Sequence, residues 1–599
     1  MQSGQRRKRK RFPKSSNSTT PCCCHCSRWW ILLLLIPLLL AFFFFVNHSS
    51  IGFKPNLIVR RLSNSFSASS NDDSDYSGSR ITSLRVLGRV LFPDHVLLLI
   101  SEGNPYKEFD CVYHKEHSSN TSGAGVVAVP VLSVDDYDEV YSIARCPVPP
   151  SNYSVGLRRG GYELRMVDRG MSSWETVAYA AVLDGETAVV FVKGLNLRPD
   201  RVSDPTQFSC HFNWGDFDIS TSSSTNKYAL TTRAVTAAQE IVRCALPLGL
   251  QKYPEKAHGV RVSVRVISVL KGRRRPAAIH QPPLPSVAKL SHSSFEEKEK
   301  IRKGKYELCV CSMVWNQASS LREWIVYHSW IGVERWFIYD NNSDDDIKKV
   351  IDEIKEVNYN VTRHVWPWIK TQEAGFSHCA LRARDECEWV AFMDVDEFFY
   401  FPFPTARNIR KTSKSELLYP GRNSLRTVVS NFSSSTTVGE IRTVCHSFGP
   451  SGLCTIPSQG VTAGYTCRLQ SPERHKSIIR PHALDNTLLN VVHHFHLKNG
   501  YQYLNLPQNT AVINHYKYQV WDAFRAKFYR RVATYVTDWQ ENQNEGSKDR
   551  APGLGTEAIE PTNWSLQFCE VWDTGLRDFV MGNLVDSSTG LLPWDKSVI

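Results

Sequence analysis

No aspartate or glutamate occurs among the first 28 residues of this 599-residue chain, although eight basic ones do: Arg6, Arg7, Lys8, Arg9, Lys10, Arg11, Lys14 and Arg28. Those eight supply most of the formal charge of +12, so the other 571 residues (599 − 28) carry only +4 (12 − 8). The basicity is thus mostly a property of the N-terminal tip, and nucleic acid is not the expected partner. Charge is also missing from Trp29–Val46, an apolar run of 18 residues, WWILLLLIPLLLAFFFFV. No small-residue cleavage site follows it, which argues against a removed leader. With the basic flank on its N-terminal side, the run predicts a single N-terminal transmembrane helix, a type II signal anchor with the bulk of the chain in the lumen.

The rest of the N-terminal composition fits that topology. The cysteines of CCCHC (Cys22–Cys26) are too crowded to wrap one tetrahedral zinc ion and sit where S-palmitoylation occurs. The remaining 12 cysteines would lie in an oxidising compartment, and several disulfides are expected. Glycosylation sequons occur at Asn120, Asn152, Asn341, Asn360, Asn431 and Asn563. Residues 47–80 are small and polar and read as a flexible stem after a cytosolic tail (1–28) and an anchor (29–46).

Residues 81–270 show short alternating runs such as HGVRVSVRVISVL, broken by Gly, Pro, Asn and Asp. Period-two patterning of this kind predicts an antiparallel β-sandwich. Cys111, Cys146, Cys210 and Cys244 could form two bridges inside it, in a pairing that spacing does not fix. Trp174, Trp214, Tyr162 and Tyr179 fit core packing better than a sugar platform. Residues 271–300, beginning KGRRRPAAIHQPPLP, read as a linker.

From 301 to 540 the pattern changes to alternating strands and helices, which predicts a Rossmann-type parallel sheet. Its strands include YELCVCSMVWN, ERWFIYD and EWVAFM; SSLREWIVYHSWIGV reads as a helix with Leu321, Trp324, Ile325 and His328 on one side. Cys309 and Cys311 in the first strand are expected to be buried thiols or partners of Cys379 or Cys387. Ligands of such sheets gather beyond the C-terminal strand ends, where Asp340 closes FIYD and FMDVDEFF (Phe392–Phe399) places Asp394, Asp396 and Glu397. Buried carboxylates need a cationic partner. Two acids one residue apart suit a hard divalent cation, Mn²⁺ or Mg²⁺, that also binds a substrate diphosphate.

Four ordered motifs carry a resemblance over about residues 305–540: CVCSMVWNQASSLREWIVYHSWIGVERWFIYDNNSDD, FMDVDEFF, RHKSIIRP and NHYKY. They resemble glycosyltransferase family 92, and within it the plant branch of pectic β-1,4-galactan galactosyltransferases. The resemblance implies an α/β GT-A-like catalytic domain, a UDP-sugar donor (UDP-galactose first), Mn²⁺, inversion at the anomeric carbon and Golgi residence. It also implies a carbohydrate-binding N-terminal β domain, a glycan or cell-wall polysaccharide acceptor and a homodimer. Carried over by residue, Asp394 and Asp396 match the metal and diphosphate motif. Asp340 matches the nucleotide end of the second strand, and His515 the late histidine of the metal site, with His493, His494 and His496 as rivals. Arg474 and Lys476 are expected at the diphosphate. The base that inversion requires is expected at Glu473 or Asp485, with Glu397 pointing away from Asp396 if the strand pleat persists. Asn341 follows Asp340 directly, so its sequon is expected to be bare. The tail, 541–599, reads as loop-rich. Two other readings compete: a glycan-binding membrane protein with a decayed transferase domain, and a glycoside hydrolase, whose carboxylates would have to face each other across the sugar.

Overall fold

The computed structural model describes residues 84–101, 108–115, 127–138, 141–167, 170–213, 230–269, 278–292, 304–402, 422–491, 493–535 and 559–595. The expected cytosolic tail, membrane anchor and stem lie outside the described residues. Among those described, no helix is long and apolar enough to cross a membrane.

The C-terminal half is built on one mixed sheet. Its strands are β1 (Tyr306–Val314), β2 (Arg335–Asp340), β3 (Val361–Val365), β4 (Cys387–Phe392), β5 (Glu397–Tyr400), β6 (Val438–Ser447), β7 (Arg474–Ile479), β8 (Gln502–Asn505) and β9 (Val512–His515). They lie in the order β3-β2-β1-β4-β7-β6-β9-β5, with β8 paired to β6. The first four are mutually parallel, as the alternation of strands and helices predicts. β7 then returns antiparallel to β4, with Phe392 opposite Ser477. Every residue of β2 is buried, in keeping with a strand covered on both faces. Helix α1 (Ala318–Trp330) buries Leu321, Trp324, Ile325 and His328, the expected stripe. It also fixes β5: the Trp324 indole donates to the Glu397 carbonyl at 3.0 Å and the Tyr327 hydroxyl to that of Phe399 at 2.5 Å. α2 (Ile347–Glu356) and α3 (Gln372–Ala383) complete the βα alternation. Disulfides join Cys309 to Cys387 and Cys311 to Cys379, tying β1 to β4 and to α3.

The N-terminal half departs from the expected single sandwich. One sheet (Arg85–Leu91, His95–Ser101, Tyr141–Pro147, Ser133–Asp136) shares a core with a second (Asp110–Lys115, Val127–Pro130, Tyr153–Arg159), and Cys111–Cys146 staples the two. That part is a sandwich. Downstream, the strands from Ala178–Asp184 to Arg261–Val269 form a separate sheet with its own core and the Cys210–Cys244 bridge. This sheet closes on itself. Residues 286–290 pair with Ala178–Ala181 on one side and with Val260–Val262 on the other. Part of the expected linker is therefore a structural strand; its prolines break the pattern of alternation without taking the chain away from the sheet. Trp174 and Tyr179 are core, as expected, but Tyr162 is 82% exposed, and Trp214 lies outside the described residues.

The tail differs too. Leu576, Phe579 and Val580 join the core of the C-terminal half, Trp564 packs on Phe524, and Cys569 is bridged to Cys467. The contributions are short and scattered, so no periodic pattern announces them.

Asn341 is buried, and its amide nitrogen donates to the carbonyls of Trp366 (2.6 Å) and Trp368 (3.1 Å). Asn152 and Asn431 are exposed. Glycopeptide mass spectrometry of protein from a eukaryotic host should find Asn152 and Asn431 occupied and Asn341 bare. A second expectation concerns acid. Burial pushes the imidazoles of His328 and His378 down to about 3. An unfolded histidine binds its proton near pH 6.5, so below that pH the unfolded chain holds more protons and stability falls with pH. The loss reaches about 1.4 kcal/mol per group per pH unit, and urea midpoints should drop between pH 7.5 and 5.5.

Candidate active site

Beyond Phe392 the chain leaves β4 and turns. The Glu397 amide donates to the Asp394 carbonyl at 3.2 Å, and the Asp394 amide donates to the Glu397 carboxylate at 3.0 Å. The chain then enters β5, where Glu397 stands opposite His515 of β9, and the Tyr516 amide donates to the Asp396 carbonyl at 2.8 Å. Two segments distant in sequence thus meet at the edge where the parallel strands end, and a third joins them. Because β7 runs antiparallel to β4, Lys476 arrives just past Phe392, against the acidic turn.

Lys476 is the hub. Its ammonium lies 3.0 Å from Asp394 Oδ2, 2.9 Å from Glu397 Oε1 and 2.8 Å from His493 Nε2. Since an ammonium only donates, His493 accepts at Nε2 and carries its proton on Nδ1, a buried nitrogen without a hydrogen-bond partner. Burial and the neighbouring Lys476 push the His493 imidazole down to about 3. Burial would raise the Asp394 carboxyl, but Lys476 and His493 together hold that group well below the carboxylate range. For Glu397, fully buried, burial prevails over Lys476 and the carboxyl is raised.

A second lysine serves Asp396. Lys527, on helix α4 (Trp521–Tyr535), pairs directly with Asp396 Oδ2, and His515 Nε2 lies 3.5 Å from the same oxygen. Burial raises this carboxyl too, yet Lys527 and His515 together hold it far down.

The structure therefore brings Asp394, Asp396, His515 and Lys476 together, and adds His493, Glu397 and Lys527. Glu473 lies at the border. It accepts from Ser447 Oγ (2.7 Å) and pairs with Lys517 (2.9 Å), and despite burial these contacts lower its carboxyl. That is the opposite of what a general base near neutral pH needs. Arg474, exposed at the start of β7, is adjacent to this border. Asp485 stands apart: its carboxylate caps a turn, accepting from the Thr487 amide (2.9 Å) and hydroxyl (2.6 Å). Asp340 is also engaged elsewhere. Arg363 grips one of its oxygens at 2.6 Å, the Ser343 amide binds the other at 3.0 Å, and Arg363 reaches on to Asp135 of the sandwich at 3.0 Å. Asp340 and Asp485 are thus structural in their contacts. Lys527 left one sequence signal: it interrupts the apolar spacing of Phe524 and Phe528, a charge on the buried side of a helix.

The donor set of Asp394, Asp396 and His515, two carboxylates and an imidazole, suits Mn²⁺ chemically. As the side chains stand, no three acidic, histidine or cysteine groups among the described residues converge to hold an ion, and a lysine pairs with each of the two aspartates. The fit is one of chemistry and requires Lys527 to move off Asp396.

The glycosyltransferase family 92 profile matches residues 304–567. A family 92 protein of Ricinus communis is 57% identical over 521 residues, 86% of each chain, and one of Arabidopsis thaliana is 54% identical over 558 residues, 91% of this chain and 90% of that one. The chain belongs to glycosyltransferase family 92. It is accordingly a glycosyltransferase, and the acidic turn lies inside the matched region. Among solved structures, a mannosyltransferase of Pyrobaculum calidifontis in complex with GDP-Man and Mn²⁺ is similar at 12% identity and TM-score 0.24, over 40% of this chain and 67% of that one. The family assignment rests on the sequence relatives alone.

In this family 92 chain the hub lysine is testable apart from activity. Lys476→Met leaves the fully buried Glu397 carboxylate without its ammonium, and removing one partner of a buried pair costs about 3–5 kcal/mol. Chemical denaturation at pH 7.5 should show a loss of that order.

Proposed function

We propose that this protein is a divalent-cation-dependent, inverting glycosyltransferase of the Golgi lumen that transfers galactose from UDP-galactose to a glycan or cell-wall polysaccharide. The observation that carries this reading is the acidic turn of Asp394 and Asp396 at the C-terminal edge of the parallel sheet, with His515 and Lys476 brought to it from other strands. The galactosyl donor follows from the resemblance of the four motifs to the galactan galactosyltransferase branch.

In this scheme Asp394, Asp396 and His515 would hold the cation, which when bound neutralises charge on the leaving diphosphate. Lys476, and Arg474 at the exposed rim, add positive charge on the same side. An acceptor hydroxyl oxygen forms a bond to the anomeric carbon from the face opposite the diphosphate. The bond from that carbon to the phosphate oxygen breaks, UDP leaves with the electron pair, and a carboxylate takes the hydroxyl proton. Glu473 borders the site and is the nearer of the two expected bases; its pairing with Lys517 would have to loosen for it to accept a proton. The anchor at 29–46 would hold the enzyme in the membrane as a single-pass type II protein, and a homodimer and a carbohydrate-binding β half complete the reading.

Full-length enzyme given a panel of UDP-sugars, Mn²⁺ and short β-galactan or arabinogalactan oligomers should transfer galactose in preference to other sugars and stop in EDTA. Asp396→Asn should lower kcat/KM at least about 100-fold. Preference for another sugar would overturn the donor, and activity undiminished by EDTA would overturn the metal.

A further inference from the structure

Asp396 is 6% exposed, and its carboxylate faces one cation that no strand of the sheet supplies, the Lys527 ammonium of α4. A divalent ion and an ammonium cannot both occupy Asp396 Oδ2, since like charges at contact distance repel strongly in a partly buried site. Counting carboxylates and lysines alone, Asp394, Asp396 and Glu397 against Lys476 and Lys527 leave a charge of −1. With Lys527 withdrawn the balance is −2, which one divalent ion cancels.

We propose that Lys527 is a built-in counter-ion that competes with the divalent cation for Asp396 and so sets the affinity of the site for that ion. The inference rests on the metal-dependent reading above. Lys476 does not have this role, because it is buried between two carboxylates and bonded to His493. Lys527 has room to leave: midway along α4, its side chain is 17% exposed at the edge of the site. Without either cation, the buried Asp396 carboxylate would keep only the His515 imidazole, 3.5 Å away, as a partner, which is strongly unfavourable. The lysine thus keeps the metal-free protein folded, at the expense of metal affinity.

The test uses full-length protein, Lys527→Met and Lys527→Arg, with Mn²⁺ alone as the probe and two readouts independent of transfer. By calorimetry, Lys527→Met should bind Mn²⁺ about ten-fold or more tightly than wild type, and Lys527→Arg should bind no more tightly than wild type. By thermal unfolding, Lys527→Met should melt lower than wild type in EDTA, and saturating Mn²⁺ should raise its Tm by more than it raises that of wild type. If Lys527→Met binds Mn²⁺ as wild type does or more weakly, or gains no larger Tm increment, the counter-ion role is overturned while the metal site survives. If neither protein binds Mn²⁺, the metal reading falls as well.

Discussion

The ammonium of Lys476 is the contact on which the acidic edge of the sheet depends. It allows a fully buried Glu397 and a depressed Asp394 to exist side by side at the end of an apolar strand, where two carboxylates alone would repel each other and lose hydration. The antiparallel return of β7 against β4 is what delivers it. Through Glu397 the same ammonium reaches β5 and, by the β5–β9 ladder, His515. The acidic turn therefore has its geometry imposed from three strands at once, and α1 pins the turn's exit by capping two carbonyls of β5.

The β-rich half is wired to the same scaffold. Arg363 bridges Asp340 at the end of β2 to Asp135 of the sandwich, and Arg145 of the sandwich donates to Asn342 at 2.9 Å. From the closed sheet, the Arg243 guanidinium donates to the Asn486 carbonyl at 2.8 Å, and the Gln239 amide to that of Asn490 at 2.5 Å. Asn490 begins the small hairpin that pairs Asn490–Val491 with His494–Phe495 and presents His493 in a left-handed conformation (φ 73°) against Lys476. The histidine beside the acids is thus held through a strand pair that the N-terminal half helps to position. This gives the β-rich half a structural part in the site.

The position of a carboxylate at a strand end was not enough to assign it to the site. Asp340 and Asp394 both close apolar strands of one sheet, and both read as ligand groups. Asp340 meets Arg363, which the chain brings from the adjacent β3, so its charge is balanced within the scaffold. Asp394 meets Lys476 and stays about a third exposed on its side chain. Glu473 and Asp485 were indistinguishable by spacing, yet one borders the cluster and the other caps a turn on Thr487.

What the sequence by itself determined was the local pattern: a parallel α/β region with its acids after β4, the buried stripe of α1, and alternating strands before them. Periodicity and burial of apolar side chains are properties of neighbours along the chain, so they are legible there. Family membership was legible too, because four motifs keep their order. Only the tertiary structure decided which cation each acid meets, because Lys476 is 82 residues from Asp394 and Lys527 is 131 from Asp396. It alone closed the second β sheet with residues 286–290 and drew the tail into the core. Charge pairing and sheet closure depend on distance in space, and no periodicity along the chain encodes which distant segment will arrive.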